Sequence, residues 1–191
     1  ELLDRSDWAA GFLSMRLAYA DGPVMQGLEQ AAKLTGRMLD VAQQYDRATL
    51  ASNADALSYV EATIRPKKRK ELRRQAKRLA EQGKITFEKL APDGPVTDWC
   101  DQYLKLEAAG WKGKGGTALG VNDAWSCFFR ESMTSAHALG KLEFLRLMLD
   151  GKVIAMLVNL RAPPVTWSYK ITYDESLARF SPGVLIELEA I

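Results

Sequence analysis

The chain has 191 residues, 47% of them hydrophobic and 26% charged, with a formal net charge of +2, which provides ample core and excludes a disordered or collagen-like polymer. No apolar run approaches the roughly 18 to 20 residues of a membrane helix and no charged-then-apolar leader opens the chain. Cys100 and Cys127 lack any CxxC spacing, which argues against a disulfide framework or a zinc site and for reduced, buried thiols in a cytoplasmic protein. The small net charge hides an asymmetry, because residues 65–84 hold ten basic and two acidic side chains, a local +8 that leaves −6 for the rest. The chain opens at Glu1 and stops at Ile191 within what reads as a helix, so it is expected to be a piece of a longer protein.

Taken in order, residues 12–20 read as a strand. Gly22-Pro23 then opens a helix of about fourteen residues that Gly36 closes, with Pro in the first turn and Gly just past the last. Residues 37–51 read as a second strand and 53–61 as a short helix interrupted by Pro66. Residues 67–82 form a basic helix with Leu72, Ala76, Leu79 and Ala80 on one face. Residues 84–90 alternate apolar and polar with period two, as a strand does. Asp93-Gly94-Pro95 is a turn, and residues 96–109 are an amphipathic helix. Residues 110–117 (GWKGKGGT) are a glycine-rich loop, and Asn122 or Asp123 caps a helix that stops at Gly140. Three strands follow at 141–149, 152–160 and 165–173, joined by Asp150-Gly151, a strong two-residue hairpin signal, and by Arg161-Ala162-Pro163-Pro164. Antiparallel neighbours with helices between them predict an α+β domain with helices packed on a mostly antiparallel sheet.

The last of these strands runs through Ser181-Pro182-Gly183 into Val184 and a helix. The N–H groups of a helix's first turn are unpaired and carry roughly half a positive charge, so such a connection can hold an anion. Taken with Leu106-Glu107-Ala108-Ala109-Gly110-Trp111-Lys112-Gly113, Gly116-Thr117-Ala118-Leu119, the strand end Lys170-Ile171-Thr172-Tyr173-Asp174 and the meander before it, the chain resembles the GNAT-superfamily N-acyltransferases. It is most similar to the FemAB-like branch with two GNAT-like lobes, specifically the bacterial cellulose-biosynthesis (CelD-like) acetyltransferases. The resemblance implies a GNAT-like fold, with residues 1–64 as the C-terminal part of a first lobe, 65–83 as a basic linker helix and 84–191 as a second lobe truncated before its last strands. It also implies transfer of an acetyl or other acyl group from acyl-CoA to a small amine or amino-sugar acceptor in exopolysaccharide or envelope metabolism, without a metal. The CoA pyrophosphate would then lie at Ser181, Pro182, Gly183 and Val184, where Pro182 contributes no N–H.

Acyl transfer from a thioester needs a neutral amine and a proton for the leaving thiolate. Asp174, with Glu175, stands just past the strand end, where a carboxylate can take the ammonium proton directly or through water. Tyr173 or Tyr169 can donate to sulfur. Strand alternation places Tyr169, Ile171 and Tyr173 on one face and Ser168, Lys170 and Thr172 on the other, so that one set alone faces a cleft. Lys170 on that strand can pair with a phosphate or a carboxylate. Trp111 and Lys112 are candidates for an acceptor wall, with Glu107 one helical turn earlier on the same face. The glycine-rich loop lacks the ending and the preceding strand of a nucleotide P-loop.

The basic helix at 65–84 can attract CoA phosphates, an acidic glycan or RNA, since some FemAB-like relatives use aminoacyl-tRNA donors. No aromatic residue interleaves with its charges, so it offers no stacking platform for single strands. His137, the one histidine, is explained by a place near a helix C-terminus. The alternatives are a Fem-type aminoacyl-tRNA-dependent transferase and a catalytically silent GNAT-like binding module. Oligomeric state is not legible in the residues.

Overall fold

The computed structural model describes residues 7, 11–15, 18–46 and 50–191. The chain divides into two compact units, Glu1–Ala51 and Ser52–Ile191.

In the first unit helix α1 (Pro23–Thr35) starts with Pro in its first turn and ends at Gly36, whose φ of 64° is the left-handed conformation of a helix stop. The strands expected at 12–20 and 37–51 are not formed over the described residues, which are bends and irregular backbone there. Positions 16, 17 and 47–49 of those stretches lie outside the described residues. Phe12, Leu13, Met38 and Val41 are exposed, Met38 to 98%. A strand needs a neighbouring strand to pair with and a face to bury, and the described residues of these segments join no sheet and leave these apolar side chains exposed.

The second unit begins with α2 (Ala56–Thr63), capped by Asp55 through the Ser58 amide at 3.0 Å, and α3 (Pro66–Ala80), which has Pro in its first turn. On α3 only Leu72 and Leu79 are buried, so its basic side chains populate the remaining faces. Strand β1 (Ile85–Lys89) follows, then α4 (Val96–Ala109), a one-turn helix α5 (Trp111–Lys114), and α6 (Asp123–Ala138), capped by Asn122 through the Trp125 amide at 3.1 Å. Strands β2 (Leu142–Leu149), β3 (Lys152–Ala162) and β4 (Val165–Tyr173) come next, then a 3-10 helix at Glu175–Phe180 and α7 (Pro182–Glu189).

The four strands form one antiparallel sheet in the order β1-β2-β3-β4. The expected hairpin is confirmed at Asp150-Gly151, where both residues have positive φ, 48° and 78°, the backbone that a two-residue hairpin with the right twist demands.

The sheet separates two cores. On one face Phe144, Met156 and Val158 meet Trp99, Tyr103 and Leu104 of α4 and Phe129 and Met133 of α6. On the other, Leu145, Leu147, Ala155 and Leu157 meet Leu79 of α3, Phe180, and Ile186 of α7. Strand β3 is covered on both faces, which accounts for its unbroken apolar run Ile154–Val158. Each of its Ile, Met, Leu and Val side chains contributes about 1.5–3 kcal/mol on burial.

Two other expectations are corrected. Residues 110–117 are not wholly loop, since Trp111–Lys114 forms a helical turn. A Cβ at Gly113 would fall 1.8 Å from the Ala108 carbonyl oxygen, so glycine is what lets α5 fold back on the end of α4. Cys100 is buried as expected, with its thiol pushed up to about 11 by burial. Cys127 is exposed on α6, with its thiol raised chiefly by the Glu131 carboxylate that its Sγ meets at 3.3 Å.

Candidate active site

Strand β4 is the last in the sheet order, so along its outer edge it has no strand partner among the described residues. Two groups of polar features flank it, one on the α4–α5 side and one where the chain leaves the strand for α7.

On the α4–α5 side the centre is Glu107, a carboxylate with 1% of its residue surface exposed. Its Oε1 accepts from Lys112 Nζ and from Lys170 Nζ, both at 3.3 Å, and its Oε2 accepts from the Leu119 amide at 2.8 Å. Lys112 Nζ also donates to the carbonyl of Ile171 on β4 at 3.0 Å. One buried anion thus draws together α4, α5 and β4, and two half-buried ammonium groups leave the cluster one positive charge in excess. The Tyr103 hydroxyl, four residues before Glu107, is buried without a hydrogen bond; burial first, and then the Glu107 charge, push its pKa up.

Tyr169 belongs to the same region. Burial and the Glu107 charge raise its pKa, so at neutral pH it remains a protonated donor. Strict alternation would have put it on the face opposite Lys170. The β3–β4 register shifts between Val158 and Asn159, whose partners are Lys170 and Ser168, so Tyr169 is the extra residue of a bulge. A bulge re-aims side chains locally, so strict alternation does not set the direction of Tyr169 relative to Lys170.

The pairing of Glu107 with Trp111 on one helix face is not realised. Gly110 adopts φ −90° and ψ −168°, ending α4 and turning α5 away, so Glu107 is buried while Trp111 is 61% exposed. The Trp111 amide instead donates to Glu175 Oε1 at 2.5 Å, and Lys114 Nζ lies 3.8 Å from Glu175 Oε2. These ties fasten α5 to the segment after β4.

On the other side Asp174 leaves the strand. Its Oδ1 accepts from the Ser176 amide (3.1 Å) and hydroxyl (2.6 Å), and its Oδ2 from Lys152 Nζ at 2.9 Å. The Ser176 hydrogen bonds and Lys152 hold its pKa below the ordinary carboxylate value. Seven residues after Asp174, Ser181 has φ 54° and ψ 49° and its side chain makes no cap. Pro182 supplies no N–H, and Leu185 is the first of the turn to find a backbone acceptor, Ser181 O at 3.1 Å. The Gly183 and Val184 amides are therefore donors without an acceptor in the fold, as the first turn of a helix leaves them. A Cβ on Gly183 would stand 3.1 Å from the Tyr173 ring, so a bare backbone lies against that ring. These donors suit a phosphate, with one N–H fewer than a turn without proline.

Of the residues singled out in the sequence, Glu107, Lys112 and Lys170 converge on one contact network, and Tyr173 adjoins Gly183. Asp174 is engaged with Lys152 and Ser176, and Trp111 stands outside the Glu107 network. Tyr103 escaped notice although its i, i+4 spacing to Glu107 was the available signal. Nothing in the sequence pointed to the Leu119 amide. His137 Nε2 sits 2.9 Å from the Ala91 carbonyl, and among the described residues no group of three or more His, Cys, Asp or Glu is placed to hold a metal.

Residues 66–191 match the family described as the acetyltransferase (GNAT) domain. The chain belongs to this family. The matched span begins at the first residue of α3 and takes in the whole sheet, the Glu107 cluster and α7, so both flanks of β4 lie within the GNAT domain. Among curated proteins none matches the chain. No helix among the described residues is long and apolar enough to cross a membrane.

Proposed function

We propose that this GNAT domain is an acyl-CoA-dependent N-acyltransferase whose donor lies along the open edge of β4 and whose acceptor is a small amine. The observation that carries this is the pair of acceptor-less amides, Gly183 and Val184, at the N-terminus of α7 beside that edge, within a chain of a family whose general activity is acyl transfer. Acyl-CoA supplies the activated acyl group. The Gly183 and Val184 N–H groups, aided by the helix dipole, would bind its pyrophosphate. Lys170 and Lys112, held by Glu107, would line the acceptor side, with Trp111 as an outer wall. Tyr169, kept protonated, is the better placed of the two tyrosines to donate a proton to a departing thiolate, since Tyr173 is packed toward α7. The lowered pKa of Asp174 makes it a weak proton acceptor, so its proposed part is to set the turn that presents Ser181.

The closer kinship to FemAB-like and CelD-like enzymes and an amino-sugar acceptor in exopolysaccharide or envelope metabolism belong to this proposal and rest on the resemblance of the motifs, whereas a cytoplasmic place rests on the cysteine usage and a first lobe ending near residue 64 on element order alone, of which the helices but neither strand are formed among the described residues. Adding acetyl-CoA to the full chain should raise its melting temperature, because a ligand that binds only the native state stabilises it. Val184, 36% exposed, can become Asp without touching Tyr173, and Val184→Asp should abolish that shift while leaving the unliganded midpoint unchanged. No shift with any acyl-CoA would remove the proposal.

One observation favours a second candidate, a transferase fed by aminoacyl-tRNA: the exposed cations of α3. Salt-sensitive tRNA binding that vanishes when Lys67, Lys68, Arg73 and Arg74 are neutralised would favour it, and absence of tRNA binding at low salt would remove it. A silent binding module would show the acetyl-CoA shift and no turnover with any amine.

A further inference from the structure

Helix α3 does not stand apart from the strand-turn-helix segment. Leu79 packs in the core with Phe180, and Gln75 Nε2 donates to the Arg179 carbonyl at 3.3 Å, so α3 is fastened to the 3-10 helix that leads into Ser181. Between them runs a groove of about 290 Å³ that presents three guanidinium groups, Arg74, Arg78 and Arg179. Arg74 is committed to Glu71 at 2.7 Å. Among the described residues neither Arg78 nor Arg179 makes an ion pair, and Arg179 is stacked over the Phe180 ring at 4.7 Å. Stacking fixes the plane of a guanidinium and leaves its N–H edge available. Glu81 is the other carboxylate on the lining, so cations outnumber anions there, and Lys70, Arg73 and Lys77 elsewhere on α3 add to the same field.

We infer that this groove is a phosphomonoester subsite that takes the 3′-phosphate of the CoA nucleotide, with Arg78 and Arg179 as its ligands. The inference rests on the acyl-CoA proposal above and extends it to a second phosphate. Arg179 precedes Gly183 by four residues, so its backbone is at most about 14 Å from the first of the two amides assigned to the pyrophosphate. The two phosphate groups of CoA are separated by a single ribose, which the long arginine side chains can span. A dianionic phosphate matches two forked guanidiniums better than it matches backbone N–H groups alone.

The test compares CoA with 3′-dephospho-CoA, titrated calorimetrically into the full chain at fixed salt. Wild type should bind CoA about tenfold or more tightly than the dephospho form, the size of one charge-assisted contact. Arg78→Ala with Arg179→Ala should lower CoA affinity to that of dephospho-CoA and leave dephospho-CoA unchanged, and Arg78→Lys alone should retain most of the discrimination. Arg78→Ala alone, at an exposed helix position, covers the case in which loss of the Arg179 stack unsettles the turn. Equal wild-type affinities for the two nucleotides would overturn the inference while sparing the acyl-CoA proposal, and so would arginine variants that weaken both nucleotides alike. Binding of neither nucleotide would overturn both. tRNA capture that depends on Arg78 and Arg179, with no nucleotide discrimination, would assign the groove to nucleic acid and overturn the inference as well.

Discussion

The two flanks of β4 handle charge in opposite ways. Toward α4 and α5 a carboxylate is buried and shared by two lysines and an amide, at the junction of three elements. Toward α3 and α7 the interior is apolar, built from Leu79, Phe180 and Ile186, and the cations lie on the outside of α3. Removing a partner from a buried, hydrogen-bonded charge cluster costs several kcal/mol, whereas exposed charges contribute little to stability and act through the field they cast on a ligand. The Glu107 side should therefore govern folding and site geometry together, and the α3 side should govern affinity for anions with the fold left intact.

The largest expected break is at Glu107. Glu107→Gln should cost about 3 kcal/mol in urea unfolding, at the low end for breaking a buried pair because both lysines are partly exposed and can turn to water. Lys112→Met and Lys170→Met should each cost less, since either leaves Glu107 one cation. The double variant should cost more than their sum, as it strands a buried carboxylate. Additive single effects would show that the three groups do not act as a cluster. Next in size is Gly113→Ala, whose methyl would overlap the Ala108 carbonyl. It should destabilise by about 2 kcal/mol, in the range of forced overpacking, and should lower activity as well, because α5 carries Lys112. Neutralising Lys67 and Lys68 on α3, by contrast, should leave the unfolding midpoint where it is.

The sheet order and the helices that cover it were legible because their signals are local and agree: period-two strands, an Asp-Gly hairpin, proline at helix starts and glycine at helix stops. The N-terminal strands were misread because an apolar run reports a wish to be buried and does not name a partner; Phe12 and Met38 remain exposed. At the site, Glu107, Lys112 and Lys170 were chosen from residue type and resemblance, and the structure joins them through a contact, Lys170 to Glu107, that spans 63 positions. No spacing rule reaches that far. The bulge at Tyr169 was equally invisible, since it depends on the register of β3 against β4. The glycine-rich stretch concealed a helical turn because Gly113 serves close approach there rather than flexibility.

The acid limb of the stability profile separates the flanks further. Asp174 has a folded pKa held below its ordinary value of 3.8 by Ser176 and Lys152. A depressed carboxylate contributes stability that is present above the unfolded pKa and lost as pH falls through the folded one. Asp174→Asn should therefore lower stability at pH 7, where that contribution is fully present, and the gap from wild type should close as pH falls below about 3.8, so that the variant's acid limb is flatter, measured as the urea midpoint against pH. If the acid limb keeps its wild-type slope, the pairing with Lys152 is too well solvated to count.

The smallest expected effect is the most discriminating for the buried side. Tyr103 is fully buried and its hydroxyl has no hydrogen-bond partner, although Glu107 stands four residues on and raises its pKa. An unsatisfied buried hydroxyl carries its desolvation cost with no compensating bond, and deleting it is neutral or slightly favourable. Tyr103→Phe should thus leave stability within about 0.5 kcal/mol of wild type or raise it, and the ring packing of Tyr103 on Phe129, at 5.1 Å between centroids, would be retained. A loss of more than about 1 kcal/mol, the net worth of one ordinary hydrogen bond, would mean that the hydroxyl does have a partner, most simply the Glu107 carboxylate, which is near enough to help raise the Tyr103 pKa although the two make no well-aligned hydrogen bond. The cluster would then extend one residue deeper into α4, and its charge would be held by four protein groups rather than by the lysines and the Leu119 amide alone.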